Sequence, residues 1–519
     1  MVIPDTPPSD LDGEAARTSS VPCCEIPDPG RGAVRNALFI GLTRAGQIVL
    51  ALVSIGMISR YLGVPGFGAY SLIWACTSLL AAIPAAGLNN ILVRETARDR
   101  SLTPKYLGAA IGIRAVLSLL ILVGLATVLA VVRPRTDLLL TLLFAYAWVI
   151  GQLSIDICGA VFLAYEKMQY DLLVTLSNSL LTVLCLAGVI HLDGGMPGIY
   201  AATAATNWIA AQIGWQIVIR KFARPEMALD TPFWRRYLSE ALPVGTSRVL
   251  KEVYSRLDVF LLAWMSTSLN VGLFNGAYRI VVQANGLPIM LVRAVYPALS
   301  RSAGVSTERL IATAGKCLSF LLVLAFPIAV FLTVLAQQII VLVLGREFAQ
   351  AYAGLMVLGW VTLTMFPDTL FFFLLIAANR QKYNVFSLAV CVLVNLVADL
   401  LPIPPLGFMG ACVGTFLAEL AFLTASYVCV RKFVGPLRLS VNLLKVGLAT
   451  ITMGGALLLV RDGPLLVSIP LGIVVYVGLL VLLRVFDRGE IVDLLRSLRP
   501  QQETLSPHPI QIVRNHESI

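Results

Sequence analysis

Long apolar runs separated by short polar links dominate this chain. Fourteen predominantly apolar segments occur, at about 36–58, 69–89, 107–132, 137–163, 171–191, 198–219, 243–265, 271–299, 310–335, 351–376, 384–402, 407–430, 441–460 and 464–485. Each is near the roughly 20 residues a helix needs to cross a hydrocarbon core of about 30 Å. The pattern predicts an all-α polytopic membrane protein of about 14 transmembrane helices. Basic residues in alternate links set its orientation: 26 Lys and Arg lie on one side and five (Arg60, Arg133, Arg135, Arg346, Arg461) on the other. Positive charge stays cytoplasmic, so both termini are expected in the cytoplasm, which fourteen spans satisfy.

The links suggest an organisation. Residues 1–35 read as a disordered cytoplasmic tail. Residues 36–219 form an N-lobe of six helices, and the polar stretch 220–242 an inter-lobe cytoplasmic loop. A C-lobe of six more helices follows at 243–430, then helices 13–14 at 431–485 and a cytoplasmic C-terminal tail at 486–519. Gly68-Ala69-Tyr70 can be laid on Gly276-Ala277-Tyr278, at an offset of 208 residues and in matching positions. That match favours two related lobes.

Two segments break the apolar rule. The seventh carries Arg248, Lys251, Glu252, Arg256 and Asp258, and the eighth Arg279 and Arg293. A charge facing lipid at mid-bilayer costs about 2.5–3.5 kcal/mol on insertion scales, so these side chains should face protein or water. At 100° per residue Arg248, Lys251, Glu252, Ser255 and Asp258 share one broad face, with Arg256 at its margin. Arg248–Glu252 and Glu252–Arg256 have i,i+4 ion-pair spacing. Either the face neutralises itself inside a bundle, or it lines a wet, mostly cationic cavity. The candidate cavity residues are Arg44, Arg114, Arg248, Lys251, Arg256 and Arg279, with Glu252 and Asp258 as gating or ion-pair partners. Arg44, Arg114 and Arg293 lie near helix ends where a long side chain can instead snorkel. An Asp258–Arg279 ion pair is the bland alternative for those two. Asp156, Asp368, Asp399 and Glu419 are further acids suited to a coupling proton or sodium ion, or to a structural role. Asn89, Asn90, Gln152, Asn207, Gln212, Gln283, Asn285 and Asn395 are suited to sugar hydroxyls or to bridging helices.

Composition adds exclusions. The chain is 58% hydrophobic with a formal net charge of +10, which in a soluble protein would point to nucleic acid. Here it reflects cytoplasmic links and intramembrane bases, so no nucleic-acid partner is expected. The nine cysteines form neither a disulfide framework nor a zinc spacing; Cys23 and Cys24 fall in the leader. No metal site, cofactor or catalytic residue is expected, since the links of the less basic side are short and acid-poor.

Three stretches resemble a known family. Ser59-Arg60-Tyr61-Leu62-Gly63-Val64-Pro65-Gly66-Phe67-Gly68-Ala69-Tyr70 resembles the LG-x-x-x-FG-x-Y turn of polysaccharide-transport flippases. These flippases belong to the multidrug/oligosaccharidyl-lipid/polysaccharide exporter superfamily. Ala86-Gly87-Leu88 with Val93-Arg94-Glu95 resembles the family's exit from the second helix, and Leu344-Gly345-Arg346-Glu347-Phe348 its segment before the tenth. Pro65-Gly66 departs from it, standing where acidic residues are common. The resemblance implies flipping of a polyprenyl-pyrophosphate-linked oligosaccharide through an inter-lobe cavity, in a bacterial inner (plasma) membrane. Implied partners are the lipid-linked glycan, membrane lipids, and a polysaccharide polymerase with other assembly proteins. A cation-coupled small-molecule or multidrug antiporter of the same superfamily is the alternative; segment 36–58 has no Asp or Glu for a drug-exporter cation site.

Overall fold

The computed structural model describes residues 29–485 except 86, 229, 438, 440 and 441. Most of the leader, the Cys23–Cys24 pair and the C-terminal tail lie outside the described residues. Residues 29–35, expected in the tail, open the first helix instead.

The chain is helical throughout its described length. Its first half holds α1 (Pro29–Ala85), α2 (Leu88–Arg98), α3 (Thr103–Val132), α4 (Thr136–Ala164), α5 (Met168–His191) and α6 (Gly195–Lys221). Next come α7 (Thr231–Met265), α8 (Ser268–Ala284), α9 (Gly286–Val305), α10 (Thr307–Val334), α11 (Ala336–Val343), α12 (Tyr352–Gly359) and α13 (Thr362–Ala377). The last are α14 (Lys382–Leu400), α15 (Ile403–Leu406), α16 (Phe408–Phe433), α17 (Leu443–Leu459) and α18 (Leu465–Leu482). Among the described residues eight helices are long and apolar enough to cross a membrane, or nine if the pair bent by 45° at 359–362 is one span. The 27-residue α6, the charged α7, the 17-residue α8 and the 20-residue α9 fall outside that group. The protein is a polytopic membrane protein.

Local chemistry places the breaks. α1 covers two predicted spans and turns between them at Gly63, whose φ of 65° and ψ of 179° suit a residue without Cβ. Asp230 caps α7 by accepting from the Phe233 N–H at 3.0 Å, with Pro232 following in the first turn. That N–H and Lys105 hold the Asp230 carboxyl below its usual range. α7 therefore begins inside the stretch expected as a loop, and its first turns pack on α2 and α3 through Tyr237, Ala241 and Trp234.

The second part of α1 crosses α8 at very close range. A Cβ on Gly68 would collide with the Ser268 carbonyl, and one on Gly272 with the Val64 carbonyl. Glycine permits such backbone approach. The two contacts exchange under a shift of 204 residues, which also carries Pro84 onto Pro288. This corrects the 208-residue register by one helical turn. Around the crossing the largest buried cluster joins α1, α6, α7, α8, α11, α12 and α16. Phe67 sets its ring edge against Phe348 at 5.5 Å between centroids, and Tyr70 lies 5.3 Å from Tyr200. The Tyr61 hydroxyl donates to Asp193 at 2.7 Å and accepts from the Gly195 N–H at 2.8 Å. The Ser59 hydroxyl donates to the Leu344 carbonyl at 3.0 Å. This Gly63 end of the bundle is closely packed.

Candidate functional site

About 20 residues back along α1 from Gly63, some 30 Å at 1.5 Å rise per residue, the same helix lines a polar cavity. Its volume is about 390 Å³. Thr43 and Gln47 of α1, Asn89 of α2, and Gln152, Ile155, Asp156 and Gly159 of α4 form part of the wall. Asp171, Thr175, Asn178 and Ser179 of α5 and Arg248 of α7 complete it. The α5 contribution follows from spacing: residues 171, 175, 178 and 179 recur every three to four positions and share one face. That polar stripe was readable in the sequence and was missed.

The cavity's polar groups are partly satisfied from within. Gln152 donates to Asp156 Oδ1 at 3.0 Å, and Arg248 lies 3.9 Å from Asp156 Oδ2. Asn178 donates to Asn207 Oδ1 at 2.8 Å. Arg248 keeps 51% of its side chain exposed and Asp156 26%, so this pair sits on an open wall. Asn89 and Gln152 are thus in the cavity, whereas Asn207 stands behind it as a helix bridge.

The other predicted bases separate. On α7, Lys251 is exposed and sits 5.9 Å from the Phe372 ring. Glu252 pairs with Arg256 at 3.0 Å, one turn along the helix, and among the described residues it forms no pair with Arg248. Arg44 of α1 meets α9, its Nε lying 2.8 Å from where a Cβ on Gly286 would stand. Arg293 of α9 is close enough to act on it through space. Among the described residues neither guanidinium has a carboxylate partner.

Arg114 is placed apart from the other predicted bases. Only 4% exposed, it donates to the Leu153 carbonyl at 2.6 Å and to Asn89 Oδ1 at 2.8 Å. Its helix, α3, packs on α2 and α4, so the guanidinium ties these helices together instead of lining the polar cavity. On its other side it borders a largely apolar recess of about 610 Å³ between α3, α4 and α6.

Asp258 and Arg279 are not paired in this state. Asp258 lies at the edge of the α7 polar face, where Tyr254 also points, and that edge packs on α14 and α16. It is 4% exposed and accepts from Asn395 Nδ2 at 2.7 Å. Asp399, one turn further along α14, is fully buried within hydrogen-bond reach of it, and neither oxygen of Asp399 meets a donor. Tyr254 donates to buried Glu419 at 2.7 Å. Arg279 instead spreads over Phe67, Tyr70 and Trp74 at 5.4, 5.2 and 5.7 Å, a cation–π arrangement. The interior behind α7 is therefore acidic, with the bases on its open margin. Among the described residues no group of three His, Cys, Asp or Glu could hold a metal ion.

The fold and the sequence have known relatives. A 99% length of the lipid II flippase MurJ, in an inward closed conformation, superposes on 87% of this chain with a TM-score of 0.70 at 14% identity. An inward-facing multidrug resistance MATE family transporter of the MOP superfamily superposes over 98% of its length and 77% of this chain, with a TM-score of 0.61 at 13% identity. A MOP superfamily transporter from Pyrococcus furiosus Vc1 (DSM3638) reaches 0.56 at 17% identity, over 78% of this chain and 96% of its own. In sequence, the chain is 22% identical over 334 residues to the "Putative O-antigen transporter" of Escherichia coli (strain K12), covering 63% of this chain and 79% of that protein. A family model described as "Polysaccharide biosynthesis protein" matches residues 33–303, just over half of the chain. The chain belongs to the polysaccharide biosynthesis protein family.

Proposed function

We propose that this protein flips a polyprenyl-pyrophosphate-linked oligosaccharide from the cytoplasmic to the outer leaflet of a bacterial inner membrane, by alternating access, for surface polysaccharide assembly. The observation that carries the reading is Arg44, half-buried at the α1–α9 seam against Gly286, next to cavity-lining Thr43 and with no carboxylate partner among the described residues. A half-buried guanidinium without a carboxylate calls for an anion, which a pyrophosphate supplies, and Arg293 of α9 adds a second positive charge on the same seam. Thr43 and Gln47 lie on neighbouring positions of the same helix and line the cavity, so a phosphate at the seam leaves the glycan in the cavity. The lipid tail then stays in the bilayer outside the seam.

On this reading the Gly63 end is outer and sealed, and the Arg248 end opens inward. The chain makes fourteen spans: two six-helix halves, then α17 and α18, with both termini cytoplasmic. The Asp258–Asn395–Asp399 cluster is the coupling element. Two facing buried carboxylates with one amide donor require a positive charge, which a proton or sodium ion supplies. No catalytic role is assigned, and a polymerase is the expected recipient of the flipped glycan.

Reconstitution in liposomes with fluorescent polyprenyl-pyrophosphate oligosaccharides tests the proposal. Wild type should flip them, and Arg44→Ala and Arg293→Ala should each slow flipping by about tenfold or more, as losing a charge-assisted contact of about 1.5–3 kcal/mol implies. Absence of flipping, with proton- or sodium-driven export of organic cations instead, would make the protein an antiporter.

A further inference from the structure

This inference rests on the lipid-linked-glycan reading and specifies the glycan. The cavity wall carries two carboxylates, Asp156 and Asp171. Its one guanidinium, Arg248, is already opposed by Asp156, which also takes the Gln152 amide. Asp171, in the first turn of α5, has no hydrogen bond and no ion pair among the described residues. The charged neighbour that acts on it is Asp156, of the same sign. Arg248 on the wall and Arg114 behind Asn89 both act on Asp156, which leaves Asp171 as the carboxylate of the wall without a base of its own among the described residues.

Carboxylates on the wall of a cavity, one of them unpaired among the described residues, favour a ligand that brings hydroxyl or ammonium donors. They disfavour one that brings a carboxylate, because a like charge there is repelled. The cavity is at the lower end of the ~300–1,000 Å³ range of small-molecule pockets, so few sugars contact this wall at once. We propose that the Asp156–Asp171 wall selects by glycan charge: it accepts neutral or amino-bearing sugars next to the pyrophosphate and rejects uronates there. Specificity of this kind comes from a built-in repulsion as much as from attraction.

The test uses the full chain in liposomes and three polyprenyl-pyrophosphate-linked disaccharides that differ at the first sugar: glucose, glucosamine or glucuronic acid. Wild type should flip the glucose and glucosamine forms at least about tenfold faster than the glucuronate form. Asp171→Asn should shrink that ratio to about threefold or less, and Asp171→Glu, which keeps the charge, should retain it. Equal flipping of the glucuronate form by wild type overturns the inference. So does a ratio that Asp171→Asn leaves unchanged. In either case flipping of the glucose form leaves the flippase reading standing. If none of the three is flipped, and tetraphenylphosphonium is exported in an Asp171-dependent way, both readings fall.

Discussion

At the Gly63 end, α1 meets α8 backbone to backbone across Gly68 and Gly272, and rings from Phe67, Tyr70, Tyr200 and Phe348 fill the space around them. At the Arg248 end, α1 faces α4, α5 and α7 across a cavity edged by amides, hydroxyls and three charged groups. One helix serves both regions. The first is held by apolar burial and close packing, which must be broken as a unit; the second is held by solvated polar contacts that a ligand can replace. A membrane protein has little hydrophobic drive between helices, so small residues and close packing take over that role. Closing one end by packing and leaving the other to polar chemistry gives two ends of unequal stability, which is what an alternating-access cycle needs to invert.

Substitutions can break this comparison, from the strongest effect to the weakest. Gly68→Leu drives a side chain into the Ser268 carbonyl. It should lower stability by about 3 kcal/mol, the upper end of overpacking costs, and abolish transport, read by thermal unfolding in detergent and by flipping. Asn395→Leu removes the amide donor to Asp258 and should cost about 1–3 kcal/mol, the penalty of an unsatisfied buried acceptor; an unchanged melting temperature would contradict it. Arg279→Ala removes a cation from three rings and should cost about 1 kcal/mol, with Arg279→Lys recovering part of it. If Arg279→Ala flips at the wild-type rate, Arg279 is a packing residue of the closed end and has no transport role. Arg248→Ala, half exposed at the open end, should change stability by no more than about 0.5 kcal/mol yet slow flipping about tenfold.

The helical class and the break at Gly63 were legible because apolar run length and a glycine-rich turn are local signals. The charged face of α7 was legible too, since helical angle follows from spacing alone. What spacing does not reveal is the neighbour that each edge meets. Asp258 and Tyr254 lie on the edge that packs against α14 and α16, so Asp258 finds Asn395 and Asp399, while Arg279 turns to the aromatic side of α1. Arg114 reads from the sequence as a cavity base or a snorkelling one, whereas α2 and α4 close over it with an amide and a carbonyl. Asp171 escaped notice for the opposite reason: an acid in the first turn of a helix is ordinary there, and only the stripe it begins along α5 marks it as cavity wall.

The most direct test of the account is to lock the closed end. Phe67→Cys and Phe348→Cys, on a background with the native cysteines replaced, place two thiols where facing rings now stand 5.5 Å apart. After treatment with a short bis-maleimide, the account predicts a protein that still binds the lipid-linked glycan from the Arg248 end but no longer flips it, while the untreated double variant flips. Flipping that continues at the untreated rate in fully cross-linked protein would contradict it, because the Gly63 end would then have no need to open.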